Sequence, residues 1–415
     1  MRSYSSVIQN KLFQRVTRYT WLLSAALLLA PTPSCQKESA AKPAPAATPQ
    51  APEPTGGRLI SSTLIGEYDQ RTLANRVASV PLVGALAQYP IKVYKLTYST
   101  RNTDGQDVTA SGALLVPVTT KALPLLSYQH GTISPTDEDR APSYYSSSSE
   151  VWSAVSVLAS TGYIVSAPDY IGYGASKALP HPYEHAPSLA SASLDMLRAA
   201  REFCQKQQVQ LNKKNFLLGY SEGGFATMAL HKLIEEQASN EFAVTASAPG
   251  AGAYHKTAFA KYILNSTQPL NFLNSYVWVL NTYNRVYDIK RPLTHYYNQP
   301  YATQLQNNPF SAVPKQVQEL FTESFRTSVL ANNDAPMSTA FRNNDVYDWK
   351  PKAPLALFHG TADDYVPFFN SQDAYNAMRA KGATQVQLRP IQGGNHFSAA
   401  GAYTLEAFGF ISQYY

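Results

Sequence analysis

The sequence predicts an α/β fold: a mostly parallel sheet of eight strands flanked by helices, with a helical cap inserted between the sixth and seventh strands. Three observations carry this expectation. Several short runs, such as Phe216-Leu-Leu218 and Leu355-Ala-Leu-Phe358, are apolar at every position, as strands buried on both faces require. These runs alternate with segments whose apolar residues recur at helical spacing, the pattern of a sheet covered on both sides. One stretch, residues 254–350, breaks the alternation: it holds 17 aromatic residues, has few runs of strand character, and is rich in Asn and Pro between its apolar positions.

In chain order, the N-terminus carries Arg2, Lys11, Arg15 and Arg18 and then Trp21-Leu-Leu-Ser-Ala-Ala-Leu-Leu-Leu-Ala30. Ten such residues span about 15 Å as a helix, half of a bilayer core, so a cationic region followed by this short apolar one reads as a secretory signal and not a membrane span. Pro31-Thr-Pro-Ser-Cys35 follows and resembles a bacterial lipoprotein cleavage box. Ser34 fits that pattern, whereas Thr32 and Pro33 depart from it. Residues 1–34 are therefore expected to be a signal peptide. Cys35 is the candidate for lipidation and hence membrane anchoring, with ordinary signal cleavage nearby as the alternative. Residues 35–57 interleave Ala and Pro, cannot form a ladder or a helix, and read as an extended spacer.

From Arg58 to Tyr415 the chain reads as one domain, with residues 252–350 as its cap. Strands are expected at Ile91–Ser99, Val108–Val118 and Leu123–Tyr128, the first two joined by the turn Asn102-Thr-Asp-Gly105, and again at Tyr163–Pro168, Asn215–Gly219, Ala243–Ala248, Pro354–His359 and Val386–Ile391. Helical spacing links Leu189, Ser193, Met196, Ala200 and Phe203, and separately Phe225, Met228 and Leu233. The cap tyrosines either pack the insertion onto the main domain or line a cleft with apolar walls and polar tips.

Gly219-Tyr-Ser221-Glu-Gly223-Gly224 is the most informative stretch. It is Gly-x-Ser-x-Gly after an apolar strand and before a helix, the context of a nucleophile elbow. A strand that turns into a helix within one residue leaves the serine strained with its hydroxyl pointing outward. Cβ atoms at Gly219 and Gly223 would collide with the neighbouring strand or helix. Serine is a poor nucleophile without a base, and the base needs an orienting acid. Downstream histidines are His231, His255, His295, His359 and His396. His231 falls on the flank of the elbow helix, His255 and His295 in the cap, and His359 at the end of a buried strand. His396 lies in a Gly-rich loop after the last strand, which can carry an imidazole over the strand ends. For the acid, Asp363 stands three residues before Val366-Pro367, and Asp364 is its alternative. A developing oxyanion needs two backbone donors. The Glu222 N–H supplies one, and Gly131 or Thr132, in the loop Ser127-Tyr-Gln-His-Gly-Thr132, supplies the other.

These stretches, with Ala141-Pro-Ser-Tyr144, Gly162-Tyr-Ile-Val-Ser-Ala-Pro-Asp-Tyr-Ile-Gly172 and Leu194-Asp-Met-Leu-Arg-Ala-Ala200, resemble the α/β-hydrolase superfamily and, within it, the secretory lipases and related bacterial esterases. The resemblance covers nearly all of residues 90–415. It implies Ser221, Asp363 and His396 as a catalytic triad, a cap over the site, and a serine carboxylesterase or lipase acting without a cofactor on a small-molecule or lipid ester. Two other readings stand beside it: a serine peptidase of the prolyl-oligopeptidase type, and a non-catalytic surface binding protein on the same scaffold.

Charge narrows the partners. The chain carries 34 Lys and Arg against 28 Asp and Glu, but four of those bases lie in the signal region, so 30 bases face 28 acids in the rest. A balance of +2 excludes a strongly cationic nucleic-acid binder. Cys35 and Cys204 form neither a disulfide framework nor a Cys-x-x-Cys zinc pattern. His181 and His185 have i,i+4 spacing, but Pro182 and the loop context argue against a metal. Asp169 reads as an anchor for a strand-end loop, Thr136–Arg140 as a solvated loop, and Ser146–Ser149 as an edge near the mouth of the site.

Overall fold

Nine strands build one sheet in a computed structural model that describes residues 57–78 and 81–415. The expected signal peptide, Cys35 and nearly all of the Ala/Pro spacer lie outside the described residues. In chain order the strands are β1 (Leu59–Tyr68), β2 (Ile91–Arg101), β3 (Asp107–Pro117), β4 (Leu123–Gln129), β5 (Ile164–Pro168), β6 (Leu211–Tyr220), β7 (Val244–Gly250), β8 (Leu355–Gly360) and β9 (Val386–Ile391). In space the order is β1-β2-β3-β5-β4-β6-β7-β8-β9. The first three strands and the β3–β5 pair run antiparallel, and every pair from β5 to β9 is parallel.

The expectation of eight strands lacked β1. Its sequence, Leu-Ile-Ser-Ser-Thr-Leu-Ile-Gly-Glu-Tyr, offers no sustained apolar run, because it is a mostly exposed edge strand that buries little. Two register shifts, at Leu59/Ser61 and Leu64/Gly66, interrupt its pairing with β2. Such bulges are a common way of blunting a sheet edge.

Side chains alternate across the central strands, so each strand feeds two cores. Leu126, Phe216 and Leu218 point to one face, where they meet Val155, Val157, Tyr403 and Phe410 from the helices Ala154–Ser160 and Ser398–Ser412. Leu125 and Leu217 point to the other face, against Met196, Leu197, Phe203 and Leu230 from the helices Ala186–Lys206 and Glu222–Gln237. Fully burying one such side chain contributes about 1.5–3 kcal/mol. Cys204 is a free, buried thiol inside this second core, and burial pushes it up to about 12.

This strand order fixes where a site can form. From β4 the chain steps to β5 on one side and then returns to place β6 on the other. That reversal opens a crevice at the carboxyl ends of β4 and β6, the usual ligand position in such sheets. Gln129 of β4 pairs with Gly219 of β6, so the loop after Gln129 and the turn after Tyr220 are neighbours.

Between β7 and β8 the chain forms seven helices, the longest being Lys256–Leu264, Leu273–Val286 and Ala335–Asn343. They enclose a core of their own, which includes Phe259, Tyr276, Tyr283, Tyr297, Phe325 and Phe341. Four of the expected cap tyrosines are packing residues with satisfied hydroxyls. Tyr276 donates to the Tyr365 carbonyl, Tyr283 to the Glu184 carbonyl, Tyr296 to Asn284 Oδ1 and Tyr297 to Asn281 Oδ1. Lys256 pairs with Glu184 beneath this layer, both buried. Among the described residues no helix is long and apolar enough to cross a membrane.

Candidate active site

Strand β6 runs into the helix Glu222–Gln237 through a single residue, Ser221, at φ 61° and ψ −125°. A non-glycine residue at this φ is strained, and such strain persists only where the surroundings enforce it. Here the Ser221 N–H donates to the Gly250 carbonyl at the end of β7. The helix lies so close to the sheet that a Cβ at Gly223 would stand 2.1 Å from the Gln129 carbonyl oxygen, and one at Gly224 2.0 Å from that of Gly250. Both obstacles are backbone and cannot rotate away. Gly223→Ala is therefore expected to lose about 3 kcal/mol of stability, the upper end for overpacking. A urea titration yielding a wild-type midpoint would contradict the close approach.

The structure brings Ser221, His396 and Asp363 together. Ser221 Oγ lies 2.8 Å from His396 Nε2, and His396 Nδ1 lies 2.7 Å from Asp363 Oδ2. With the carboxylate accepting from Nδ1–H, Nε2 is left as the acceptor facing the serine hydroxyl. The loop carrying His396 is pinned by Tyr220, whose hydroxyl donates to the His396 carbonyl at 2.7 Å. Asp363 is held just as firmly. Its Oδ1 accepts the N–H groups of Tyr365 and Val366 at 2.9 and 2.8 Å. Burial works to raise its pKa, but the ring N–H groups of His359 and His396 outweigh this and bring it down to about 2. Asp364, the alternative acid, is exposed and faces Asn271 Nδ2 at 3.4 Å.

The other downstream histidines are engaged elsewhere. His231 meets Glu235, His255 meets Asp373, and His295 meets Arg291. His359 lies between Ser371 Oγ and the Val366 carbonyl, each at 2.7 Å, and its Nε2 also comes within 3.3 Å of Asp363 Oδ2. It buttresses the acid from behind.

On the opposite side of the nucleophile, the expected donors divide. The Gly131 N–H points at the Glu150 carboxylate, 3.2 and 3.4 Å from its two oxygens, so it is already occupied. Glu150 is fixed in turn by the Tyr128 hydroxyl at 2.8 Å. The Thr132 N–H has no acceptor among the described residues, and the Thr132 hydroxyl meets that of Tyr183 at 3.0 Å. Glu222 opens its helix, where the first N–H groups have no intrahelical acceptor and the dipole favours negative charge. Its side chain is buried, with Oε1 2.8 Å from His181 Nε2. That contact engages His181, and His185 Nδ1 lies 2.9 Å from Ser188 Oγ. Asp169 ties three segments together, accepting from Ser111 Oγ at 2.6 Å and the Ser143 N–H at 2.7 Å.

Above these groups lies a cleft of about 560 Å³, lined by Thr132, Ser221 and His396 from the main domain and by Ser275, Trp278 and Phe310 from the helical segment. Glu150, Tyr183 and Trp278 were not among the residues singled out by the sequence. Glu150 opens a short 3-10 helix, Glu150–Trp152, after a Ser-rich loop where no spacing marks it, and its contact with Gly131 spans 19 positions.

The sheet order, the strained serine turn and the cap together define an α/β-hydrolase. Residues 146–413 match the Secretory lipase family, and the chain belongs to that family. Among solved structures it is similar to a putative hydrolase from Legionella pneumophila, at 26% identity and a TM-score of 0.78, covering 86% of this chain and 98% of that one. It is also similar to the rice cell wall degrading esterase LipA from Xanthomonas oryzae, at 28% identity and a TM-score of 0.73, covering 86% and 97%. Candida antarctica lipase A, at 19% identity and a TM-score of 0.65 over 86% and 82%, shares the fold. No curated protein matches the sequence. Family and neighbours make this chain an ester hydrolase.

Proposed function

We propose that the protein is an exported serine hydrolase that cleaves carboxylic esters through an acyl-enzyme on Ser221. The observation that carries this reading is the hydrogen-bonded chain from Ser221 Oγ through His396 to Asp363, set on a strained turn at the floor of an open cleft. Ser221 Oγ attacks the ester carbonyl as His396 Nε2 takes its proton, and Asp363 stabilises the imidazolium that forms. The tetrahedral oxyanion accepts from the N–H groups of Glu222 and Thr132, with Glu150 holding the Gly131 turn in place. His396 returns the proton to the departing alcohol, and water then repeats the sequence on the acyl-enzyme. The residues 252–350 act as the cap and supply the aromatic wall. Ester rather than peptide chemistry is supported by the family and by the esterase among the neighbours.

Treatment with a fluorophosphonate is expected to leave one adduct, mapped by peptide mass spectrometry to Ser221. An unlabelled chain with an intact fold would favour a binding protein on a dead scaffold. Export is supported by the cationic and apolar N-terminus and by the secretory character of the family. The anchoring proposal for Cys35 has its own test: Cys35→Ala should move the protein from the detergent phase to the aqueous phase on detergent partitioning. Retention of the variant in the detergent phase would rule lipidation of that cysteine out.

A further inference from the structure

We propose that a second cleft beside the nucleophile is a substrate subsite that reads a negative charge, with Arg285 as its specificity-determining residue and carboxylate-bearing esters as the substrate class. The inference deepens the ester-hydrolase reading and rests on it.

The second cleft has a volume of about 890 Å³ and is lined by Lys177, His181, Trp278, Asn281, Arg285 and Phe310, among others. It is continuous with the catalytic cleft, because Trp278 and Phe310 line both. His181 connects the two chemically, since its ring holds Glu222, the residue after the nucleophile. A substrate bound at Ser221 can therefore extend past Trp278 and along the Arg285 wall.

Arg285 differs from Arg198 and Arg291. Arg198 is clamped by Asp195 and Glu241, and Arg291 by Asp334. For Arg285 the structure gives a single hydrogen bond, Nη2 to the His181 carbonyl at a long 3.5 Å, and no carboxylate pairs with it among the described residues. Most of its five N–H donors are thus free to point into the cleft. Its place in the last turn of the helix Leu273–Val286 suits a cation but uses none of those donors. Its charge is felt by its surroundings: burial first, and Arg285 second, hold His185 down at about 4. The second cation, Lys177, has only a loose contact at 3.8 Å with Glu138, whose other oxygen takes the Tyr144 hydroxyl.

The chemistry of these groups selects the ligand. A planar guanidinium with free donors matches a carboxylate in a two-bond fork, and such charge-assisted bonds are the strong ones. One face of Trp278 is stacked on Tyr183, with centroids 4.2 Å apart and planes 10° apart, and Phe310 sets against it edge-on at 5.2 Å.

The test compares wild type, Arg285→Gln and Arg285→Lys on two matched substrate series. In one, p-nitrophenyl half-esters of dicarboxylic acids of increasing length are set against neutral p-nitrophenyl alkanoates, which places the charge on the acyl side. In the other, butyrate esters of hydroxybenzoates are set against butyrate esters of the parent phenols, which places it on the alcohol side. The wild type is expected to prefer the charged member of one series in kcat/KM. Arg285→Gln should reduce that preference about tenfold, chiefly through KM, as loss of a charge-assisted hydrogen bond implies. Arg285→Lys should retain part of it, and all three proteins should cleave the neutral esters alike. A wild type without preference for charge in either series, or an Arg285→Gln variant that keeps it, overturns the proposal. If instead neither charged nor neutral esters are cleaved, or both are cleaved equally by Ser221→Ala, the reading of the catalytic site fails first.

Discussion

Replacing His396 with alanine is expected to lower kcat on a p-nitrophenyl ester by about 10⁶, the scale seen when a triad base is removed. The geometry leaves no substitute base. His359, the other imidazole beside Asp363, has its two nitrogens committed to Ser371 and the Val366 carbonyl. Without the His396 ring, Ser221 Oγ loses its proton acceptor and Asp363 loses one of the two imidazole N–H groups that stabilise its charge. The fold should survive, because Tyr220 holds the His396 loop through the backbone carbonyl and not through the ring. Steady-state kinetics beside a thermal melt separates the two effects. A well-folded variant retaining a tenth of wild-type activity would show that another group carries the base function.

Asp363→Asn should cost about 10⁴ in kcat, smaller because the serine and its base both remain. The asparagine amide would face His396 Nδ1 with N–H groups as readily as with its oxygen, which favours the tautomer whose Nε2 carries the proton. That tautomer cannot accept from Ser221. Asp364→Asn is the matched control, since this side chain is exposed and faces Asn271 instead of the histidine, and its activity should be unchanged. The first substitution also has a pH signature in stability. The carboxyl titrates near 2 in the folded protein against an ordinary 3.8, because the two histidine N–H groups outweigh the opposing effect of burial. A depressed carboxyl stabilises the fold fully above the unfolded pKa and loses that contribution as pH falls through the folded one. About 2 kcal/mol is therefore present above pH 3.8 and lost toward pH 2. Asp363→Asn should flatten this part of the stability profile, as measured by urea titrations across the acid range.

Which parts of the site were legible depends on how local their causes are. The elbow can be read directly, because strand, strained serine, flanking glycines and helix are contiguous and each residue type has a steric reason. Asp363 and His396 are legible through their positions at strand ends. The choice between Asp363 and Asp364 needed the turn geometry, in which Oδ1 of the first is captured by two backbone N–H groups. Gly131 and Thr132 look equivalent in sequence. What separates them is a carboxylate 19 residues away that occupies one N–H and leaves the other open, a contact with no periodic signature. Strand β1 escaped notice for a different reason: its stability comes from ladder hydrogen bonds to β2, while its side chains stay mostly in water. The cap illustrates both limits. Its aromatic richness marks it as a separate layer, but only the packing distinguishes Tyr276 and Tyr283, which fill its interior, from Trp278, which faces the cleft.

Acid-quenched intact-mass and peptide mass spectrometry during turnover of a slowly deacylating p-nitrophenyl ester tests the central claim most directly. The account predicts a mass gain equal to the acyl group on the peptide containing Ser221, formed with the burst of nitrophenol and absent in Ser221→Ala. Turnover with no acylated serine at any quench time, or with the acyl group on a different residue, would contradict it.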